Sequence, residues 1–197
     1  MCSACGAGNR AAPQATHGSH GTHTSHGSTS APRSSTTTST ATSTTSAPPA
    51  PARCTFADLV ISAGPTAAGL GHEGATILFE NVAATPCALS GYPGIAALSA
   101  TGRQVQQAQR TLSGYLGGMR TGSTTPPLVV LQPRATASAM VEGTDVPEGT
   151  VSSCPTFPAL LVTPPTSTTS KRLTAPLPGC SPLQVHPVVS GTTGSTT

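Results

Sequence analysis

The sequence predicts an all-β fold, an immunoglobulin-like sandwich of two sheets with two disulfides, preceded by a disordered N-terminal tether. Three observations support this prediction. Before Cys54 the chain consists largely of Gly, Ser, Thr, Ala, Pro and His, with almost no apolar content. After Cys54 it alternates apolar and polar residues in short runs broken by Gly and Pro, which is the pattern of strands and turns. Four of the six cysteines lie in this second part, as in domains held together by disulfides.

Alternation and β-branched content mark about seven strands, and turn residues separate them. In the clearest strand, alternate residues from Ala135 to Val141 face one side, and Thr136, Ser138, Met140 and Glu142 face the other. Regular short strands of this kind predict a sandwich. The only candidate helix is a short one over residues 103–112. The predicted strands are Phe56–Ser62, Ala75–Asn81, Gly94–Ala100, Leu128–Leu131, Ala135–Glu142, Phe157–Thr163 and Leu183–Val189, with breaks at Gly64-Pro65, Pro93-Gly94, Thr101-Gly102 and Pro147–Gly149.

The chain of 197 residues therefore divides into four parts. Residues 1–5 are an N-terminal remnant, 6–53 a disordered tether, 54–189 the β-sandwich domain and 190–197 a disordered tail. The tether has too little apolar surface to offset the entropy of ordering. Its Ser/Thr-rich run, followed by a Pro-rich stretch, is typical of a stalk and of O-glycosylated segments.

Charge argues against nucleic acid as a partner. Charged residues make up 8% of the chain and the formal net charge is +3. Lys171 and Arg172 form the only adjacent basic pair, whereas nucleic-acid binding needs a clustered basic face. The chain has no Trp and few Phe or Tyr, so stacking platforms for bases are not expected either.

The four domain cysteines predict disulfides, and hence an oxidising, extracytoplasmic compartment. They contain no Cys-x-x-Cys pair and have no neighbouring histidine, which disfavours zinc. Three pairings are possible, and four free buried thiols are the alternative. We favour Cys54–Cys87 with Cys154–Cys180, because each closes a short loop between neighbouring predicted strands.

The N-terminus resembles a lipidation signal. Ser3-Ala4-Cys5 looks like the end of a bacterial lipobox, although Cys2 stands where Leu is usual. We expect a signal peptide encoded upstream of Met1, and Cys5 as the acylated first residue of the mature protein. Several acyl chains together, palmitate among them, anchor a protein stably in a membrane. The alternative is that Cys2 and Cys5 are incidental.

Four histidines recur at every third position in the tether. A His-rich tract is a candidate ligand for Zn or Cu, since neutral imidazole binds both. In an extended chain successive rings lie about 9 Å apart, so binding requires the chain to fold around the ion. The alternative is a low-complexity run without a ligand. The four are His17, His20, His23 and His26.

No catalytic motif is present in the domain. The sequence lacks a Gly-x-Ser-x-Gly elbow, a phosphate-binding Gly loop and a His-Glu-x-x-His motif. We read His72-Glu73 as a solvated surface pair and place His186 on a strand edge. A dispersed Ser/His/acid site around either histidine stays open, because such triads are defined by geometry.

Two tyrosines are the candidate binding residues. Tyr92 follows a cysteine within a turn, where it either presents an aromatic surface or packs against the disulfide. Tyr115 lies in the long loop of residues 113–127. That loop is either a recognition site or a cover over an open sheet edge.

The residues Pro86-Cys87-Ala88-Leu89-Ser90-Gly91-Tyr92-Pro93-Gly94, the strands that follow them and the Cys154 region resemble a known family. It is the actinobacterial domain of unknown function numbered 4232, found in secreted proteins and lipoproteins behind Ser/Thr/Pro-rich linkers. The resemblance covers residues 54 to about 188. It implies export, a β-sandwich and paired disulfides, and supplies no activity. An aromatic residue is frequent in the family where Glu142-Gly143 stand here.

Together these observations predict a non-enzymatic, lipid-anchored envelope protein. It would display a β-sandwich on a flexible stalk and bind an envelope protein or glycan, without a cofactor. The first alternative is a metal-binding envelope lipoprotein that uses the His17–His26 tract. The second is a hydrolase with a dispersed site.

Overall fold

The computed structural model describes residues 49–150 and 152–196. They form twelve strands and one 3₁₀ turn, Phe56–Asp58. No helix in these residues is long and apolar enough to cross a membrane. The strands are β1 Leu59–Gly69, β2 His72–Asn81, β3 Cys87–Ser90, β4 Gly94–Leu98, β5 Gln104–Gln107, β6 Gln109–Arg110, β7 Leu128–Leu131, β8 Thr136–Thr144, β9 Thr156–Thr163, β10 Lys171–Pro178, β11 Gln184–Val185 and β12 Val189–Ser190.

The strands build two main sheets and a small ribbon. The six-stranded sheet has the order β1-β2-β8-β11-β6, with β12 also paired to β8. The four-stranded sheet has the order β10-β9-β4-β5, and β3 pairs with β7 in the ribbon. Neighbouring strands are antiparallel except β11 and β6, which run parallel. The all-β architecture confirms the predicted fold class.

The core lies between the two main sheets and follows the alternation of the sequence. Ile77 and Phe79 of β2 are fully buried, as are Leu160 of β9 and Ile95 of β4. In β8 the predicted apolar face, Ala137 to Val141, belongs to this core. Burying alternate residues of both sheets in this way is the main source of stability in a sandwich.

The outer face of β8 is also buried, because a second layer covers it. Ser138, Met140 and Glu142 are 0–2% exposed. Residues 111–119 and 191–196, which we call the cover, lie across them. The Gly194 N–H donates to Ser138 Oγ (2.9 Å), and the Gly118 N–H donates to the Gly194 carbonyl (2.8 Å). The predicted disordered tail at 190–197 is therefore wrong over residues 190–196, which pair with β8 or pack on it. Thr197 lies outside the described residues.

Three local predictions also need correction. β1 runs through the predicted break at Gly64-Pro65, with a register shift between Ala63 and Thr66. Residues 103–112 form β5 and β6 rather than a helix, since they pair with β4 and β11. The predicted tether extends two residues too far, because Arg53 forms a parallel bridge with Ala88 and Ala52 accepts a hydrogen bond from the Ala88 N–H (2.8 Å).

The two predicted disulfides are confirmed, and they mark opposite ends of the domain. Cys54–Cys87 lies where the chain enters β1, which we call the entry end. β1 then runs for 11 residues, roughly 35 Å in extended conformation. It ends at the turn into β2, which we call the hairpin end. Cys154–Cys180 lies there, since the Cys180 N–H donates to the Thr144 carbonyl and Thr144 pairs with His72.

Candidate functional site

The β1–β2 turn holds an apolar side chain in an unfavourable backbone conformation. The two central residues, Leu70 and Gly71, have φ of 47° and 79°. Positive φ at both positions is the signature of a type I′ turn, for which Asn-Gly is the preferred pair. Leucine is disfavoured there because its Cβ crowds the backbone. The Leu70 side chain is nevertheless 85% exposed, so the domain core gains nothing from it.

Three more side chains surround this turn. The rings of Tyr115 and His72 stack with centroids 4.6 Å apart and planes inclined by 15°. Tyr115 is 52% exposed and Val146 is 53% exposed. Val146 closes over Gly71, where an added Cβ would collide with it. Leu70, His72, Tyr115 and Val146 together form what we call the hairpin patch.

The buried pair of Glu142 and His186 fixes the backbone of the loop that carries Tyr115. Glu142 on β8 accepts hydrogen bonds from the backbone N–H groups of Tyr115 (2.8 Å) and Leu116 (2.7 Å). Its Oε1 lies 3.6 Å from His186 Nε2, an ion-pair distance too long for a hydrogen bond. The side chains of His186 and Glu142 are 0% and 3% exposed. The predicted strand-edge position of His186 is therefore wrong, because the cover encloses it.

Both nitrogens of the His186 ring face acceptors. Nδ1 lies 3.2 Å from the Thr111 carbonyl and 3.1 Å from Thr111 Oγ1, whose own proton goes to Gln184 Oε1. Nε2 has no hydrogen-bond partner in the described residues and faces the Glu142 carboxylate. The ring of His186 therefore lies between Thr111 and Glu142, with Nε2 opposite the carboxylate.

The environment of Glu142 favours its ionised form. Burial by itself raises the pKa of this carboxyl, but the contact with His186 and the N–H groups of Leu116 and Tyr115 lower it. The lowering effects win, and the pKa lies below its ordinary value. The Glu142 carboxylate therefore stays ionised and continues to accept the hydrogen bonds from the loop that carries Tyr115.

Gly114 is required for this arrangement. An added Cβ at Gly114 would collide with Glu142 Oε1 and with His186 Nε2. The Gly114 N–H donates to the Gly117 carbonyl (2.9 Å), which keeps the loop tight over the pair. Glycine here allows the backbone to approach closely, as it does where chains cross a ligand or another segment.

Unpaired carboxylates lie around the hairpin patch. Glu73 and Asp145 are exposed and border a cavity of about 450 Å³ that Cys154 and Pro178 also line. Glu148 follows shortly after Val146 and is also exposed. Within the described residues none of these three has an ion-pair partner. Asp58, near the start of β1, has no ion pair either but accepts a hydrogen bond from Thr55, so the described carboxylates without any polar partner all lie at the hairpin end.

The structure brings only one of the two predicted tyrosines into this site. Tyr115 belongs to the hairpin patch, whereas Tyr92 is partly buried between β3 and β4. His72 stacks on Tyr115 instead of forming a simple solvated pair with Glu73. Cys5 and the four tether histidines, His17, His20, His23 and His26, lie outside the described residues, and their roles stay predictions.

The sequence reading missed Leu70, Val146 and the pairing of Glu142 with His186. The sequence contains one signal for Leu70. Gly69-Leu70-Gly71-His72 is a Gly-flanked break between two alternating runs, which predicts a two-residue hairpin with an unusual residue at its tip. In residues 49–150 and 152–196, no cluster of three His, Cys, Asp or Glu side chains is arranged to hold a metal ion.

Comparison with known proteins gives one match. Neither the curated proteins nor the solved structures contain a significant match to this chain. A protein family does match, described as a domain of unknown function (DUF4232), over residues 54–190. That range includes both disulfides, the hairpin patch and the buried Glu142–His186 pair. The chain therefore belongs to the DUF4232 family.

Proposed function

We propose that this protein is a non-enzymatic cell-envelope lipoprotein that binds a ligand through the hairpin end of its β-sandwich. The observation that carries the proposal is the hairpin patch. It exposes one aromatic and two aliphatic side chains at the end of the domain farthest from the point of chain entry. Exposed apolar side chains grouped in this way mark interaction sites.

Export is supported by the disulfides. Two disulfides in one domain indicate an oxidising, extracytoplasmic environment. In the proposal, Cys5 carries the lipid and residues 6–53 form the stalk. The stalk leads into the domain at its entry end.

A binding role is better supported than catalysis. The only contact between a histidine and an acid in the described residues is the His186–Glu142 pair, and it is enclosed by the cover. The hydrogen bonds of its ring go to Thr111, and no serine hydroxyl of the described residues bonds to it. A general base must reach the proton that it abstracts. Here the pair positions a loop instead.

Two measurements test the proposal. Intact mass and N-terminal peptide sequencing of protein purified from its own envelope should give a mature chain starting at acylated Cys5. An unmodified Met1 in a cytosolic fraction would contradict the anchor and the export argument.

For binding, the purified full chain is mixed with envelope fragments and sedimented. The Tyr115→Ala variant should lose most of the bound fraction. Val105→Ala serves as the control, because Val105 is 47% exposed on an edge strand away from the patch. Equal sedimentation of both variants and the wild type would refute a binding role for the patch.

A further inference from the structure

Building on the proposed binding function, we infer that the hairpin patch binds a protein partner that presents apolar side chains beside lysine or arginine. Three features of the hairpin end support this class of partner. They are the conformation of Leu70, the fixed position of Tyr115 and the distribution of unpaired carboxylates.

Leu70 serves a contact outside the domain. Its left-handed conformation disfavours leucine, and asparagine or glycine would suit the turn better. Its side chain is 85% exposed, so no internal packing compensates. Strained residues of this kind cluster at ligand-contacting positions, where the strain serves the contact. An aliphatic side chain held out at a hairpin tip fits an apolar depression on a partner.

Tyr115 is fixed before any partner arrives. Its backbone N–H is bound to Glu142, and its ring rests on His72. Little side-chain freedom is left to lose on binding, which lowers the entropic cost of association. Tyrosines in such positions are enriched among the residues that dominate protein–protein affinity. Leu70, Tyr115 and Val146 thus form an apolar centre.

The carboxylates around this apolar centre indicate the charge of the partner. Elsewhere in the described residues each carboxylate has a partner. Asp58 accepts from Thr55, Glu80 pairs with Arg134 and Glu142 faces His186. The three described carboxylates with neither a hydrogen bond nor an ion pair, Glu73, Asp145 and Glu148, all lie at the hairpin end and are exposed. Complementary charge on a partner means lysine or arginine, and it disfavours an anionic lipid surface.

The test is a titration of the full chain with two synthetic peptides, followed by NMR of the backbone amides. One peptide alternates Lys with Leu, and the other alternates Glu with Leu. We expect the Lys/Leu peptide to shift the amides of residues 69–73, 114–116 and 145–148, and the Glu/Leu peptide to leave them unchanged. Leu70→Asn should weaken binding of the Lys/Leu peptide about tenfold, the size expected when an interface residue that contributes more than about 1 kcal/mol is lost.

Two further variants make the test specific. Leu128→Asn is the matched control, because Leu128 is 65% exposed at the entry end and should not affect the peptide affinity. Glu73→Gln combined with Asp145→Asn should weaken binding about threefold at low salt. That difference should disappear at high salt, because exposed charges are screened.

Several outcomes would overturn the inference. They are equal binding of both peptides, no binding of either, shifts confined to other surfaces, and a Lys/Leu affinity unaffected by Leu70→Asn. Sedimentation that shows the chain dimerising through the patch would make a second copy the occupant and would also refute it. If the peptides fail while Tyr115→Ala still abolishes envelope binding, the partner class is wrong and the binding function stands. If both fail, the binding function fails as well.

Discussion

Each end of the domain contains one disulfide, but the two disulfides lie in different surroundings. At the entry end, Cys54 and Cys87 are each 4% exposed, and polar groups around them are satisfied. Asn81, for example, donates to the carbonyls of Thr85 (2.9 Å) and Leu131 (3.0 Å). At the hairpin end, Cys154 and Cys180 are partly exposed, and they lie near unpaired carboxylates and exposed apolar side chains.

In the proposed function, this difference separates stability from recognition within one sandwich. The entry end also exposes apolar side chains, Leu128 among them, but its carboxylates and buried polar groups have hydrogen-bond or ion-pair partners. The hairpin end leaves three exposed carboxylates without such partners near an exposed aromatic side chain, which favours a partner. Four experiments test this contrast between the two ends.

Removing the entry-end disulfide should have the largest effect. Its cysteines are 33 residues apart and those of the other disulfide 26, so chain entropy predicts about 4 kcal/mol for each. Cys54→Ala with Cys87→Ala should lower the free energy of unfolding by about 5 kcal/mol in urea denaturation, because it also disturbs buried packing. Cys154→Ala with Cys180→Ala should remove little beyond the chain-entropy contribution, about 4 kcal/mol. An equal or reversed order would remove the distinction between the ends.

Breaking the buried pair should come next. Glu142→Gln replaces one carboxylate oxygen with an NH₂ group, which cannot accept, so the N–H of Tyr115 or Leu116 loses its partner, and we expect a loss of about 2–3 kcal/mol. Glu80→Gln is the matched control, since Glu80 and Arg134 are 31% and 76% exposed, and it should cost less than about 1 kcal/mol. Both are measured by urea denaturation near neutral pH. Similar losses from the two variants would mean that the Glu142–His186 contact has no special role.

The same pair should make stability depend on pH in the acid range. The pKa of Glu142 is lower in the folded protein than its ordinary value of 4.5. Its carboxylate therefore stabilises the folded state fully above about pH 4.5, and this contribution is lost as pH falls through the folded pKa. The difference in unfolding free energy between wild type and Glu142→Gln should shrink below pH 4.5. The pKa of Asp58 is also lowered, but Asp58 is present in both proteins and cancels. A difference that stays constant down to pH 3 would contradict the assignment.

Relieving the strained turn should have the smallest effect and the opposite sign. Leu70→Asn places a residue that tolerates positive φ at the hairpin tip, and thermal denaturation should show a gain of roughly 0.5–1 kcal/mol. Leu128→Asn, on the regular strand β7, should give a small loss because Asn is a poor strand former. A destabilised Leu70→Asn variant would mean that Leu70 serves the fold and not a partner.

The sequence predicted the fold class and both disulfides because alternation and cysteine spacing are local signals. It missed β10, since Pro176 and Pro178 argue against a strand. They are tolerated because β10 is an edge strand. Glu142 and His186 meet only through the tertiary fold, and no local pattern shows which polar residue of β8 acquires a buried partner. The role of Leu70 could not be identified from the sequence, because a single exposed leucine is common and its positive φ is known only from the structure.

Recognition at the hairpin end can be tested by photo-cross-linking in intact cells, with a photoreactive amino acid at position 70 in one strain and at position 128 in another. Both side chains are well exposed, one at each end of the domain. We expect a discrete protein adduct from position 70 and none from position 128. Adducts from position 128 alone, or equal adducts from both, would contradict recognition at the hairpin end.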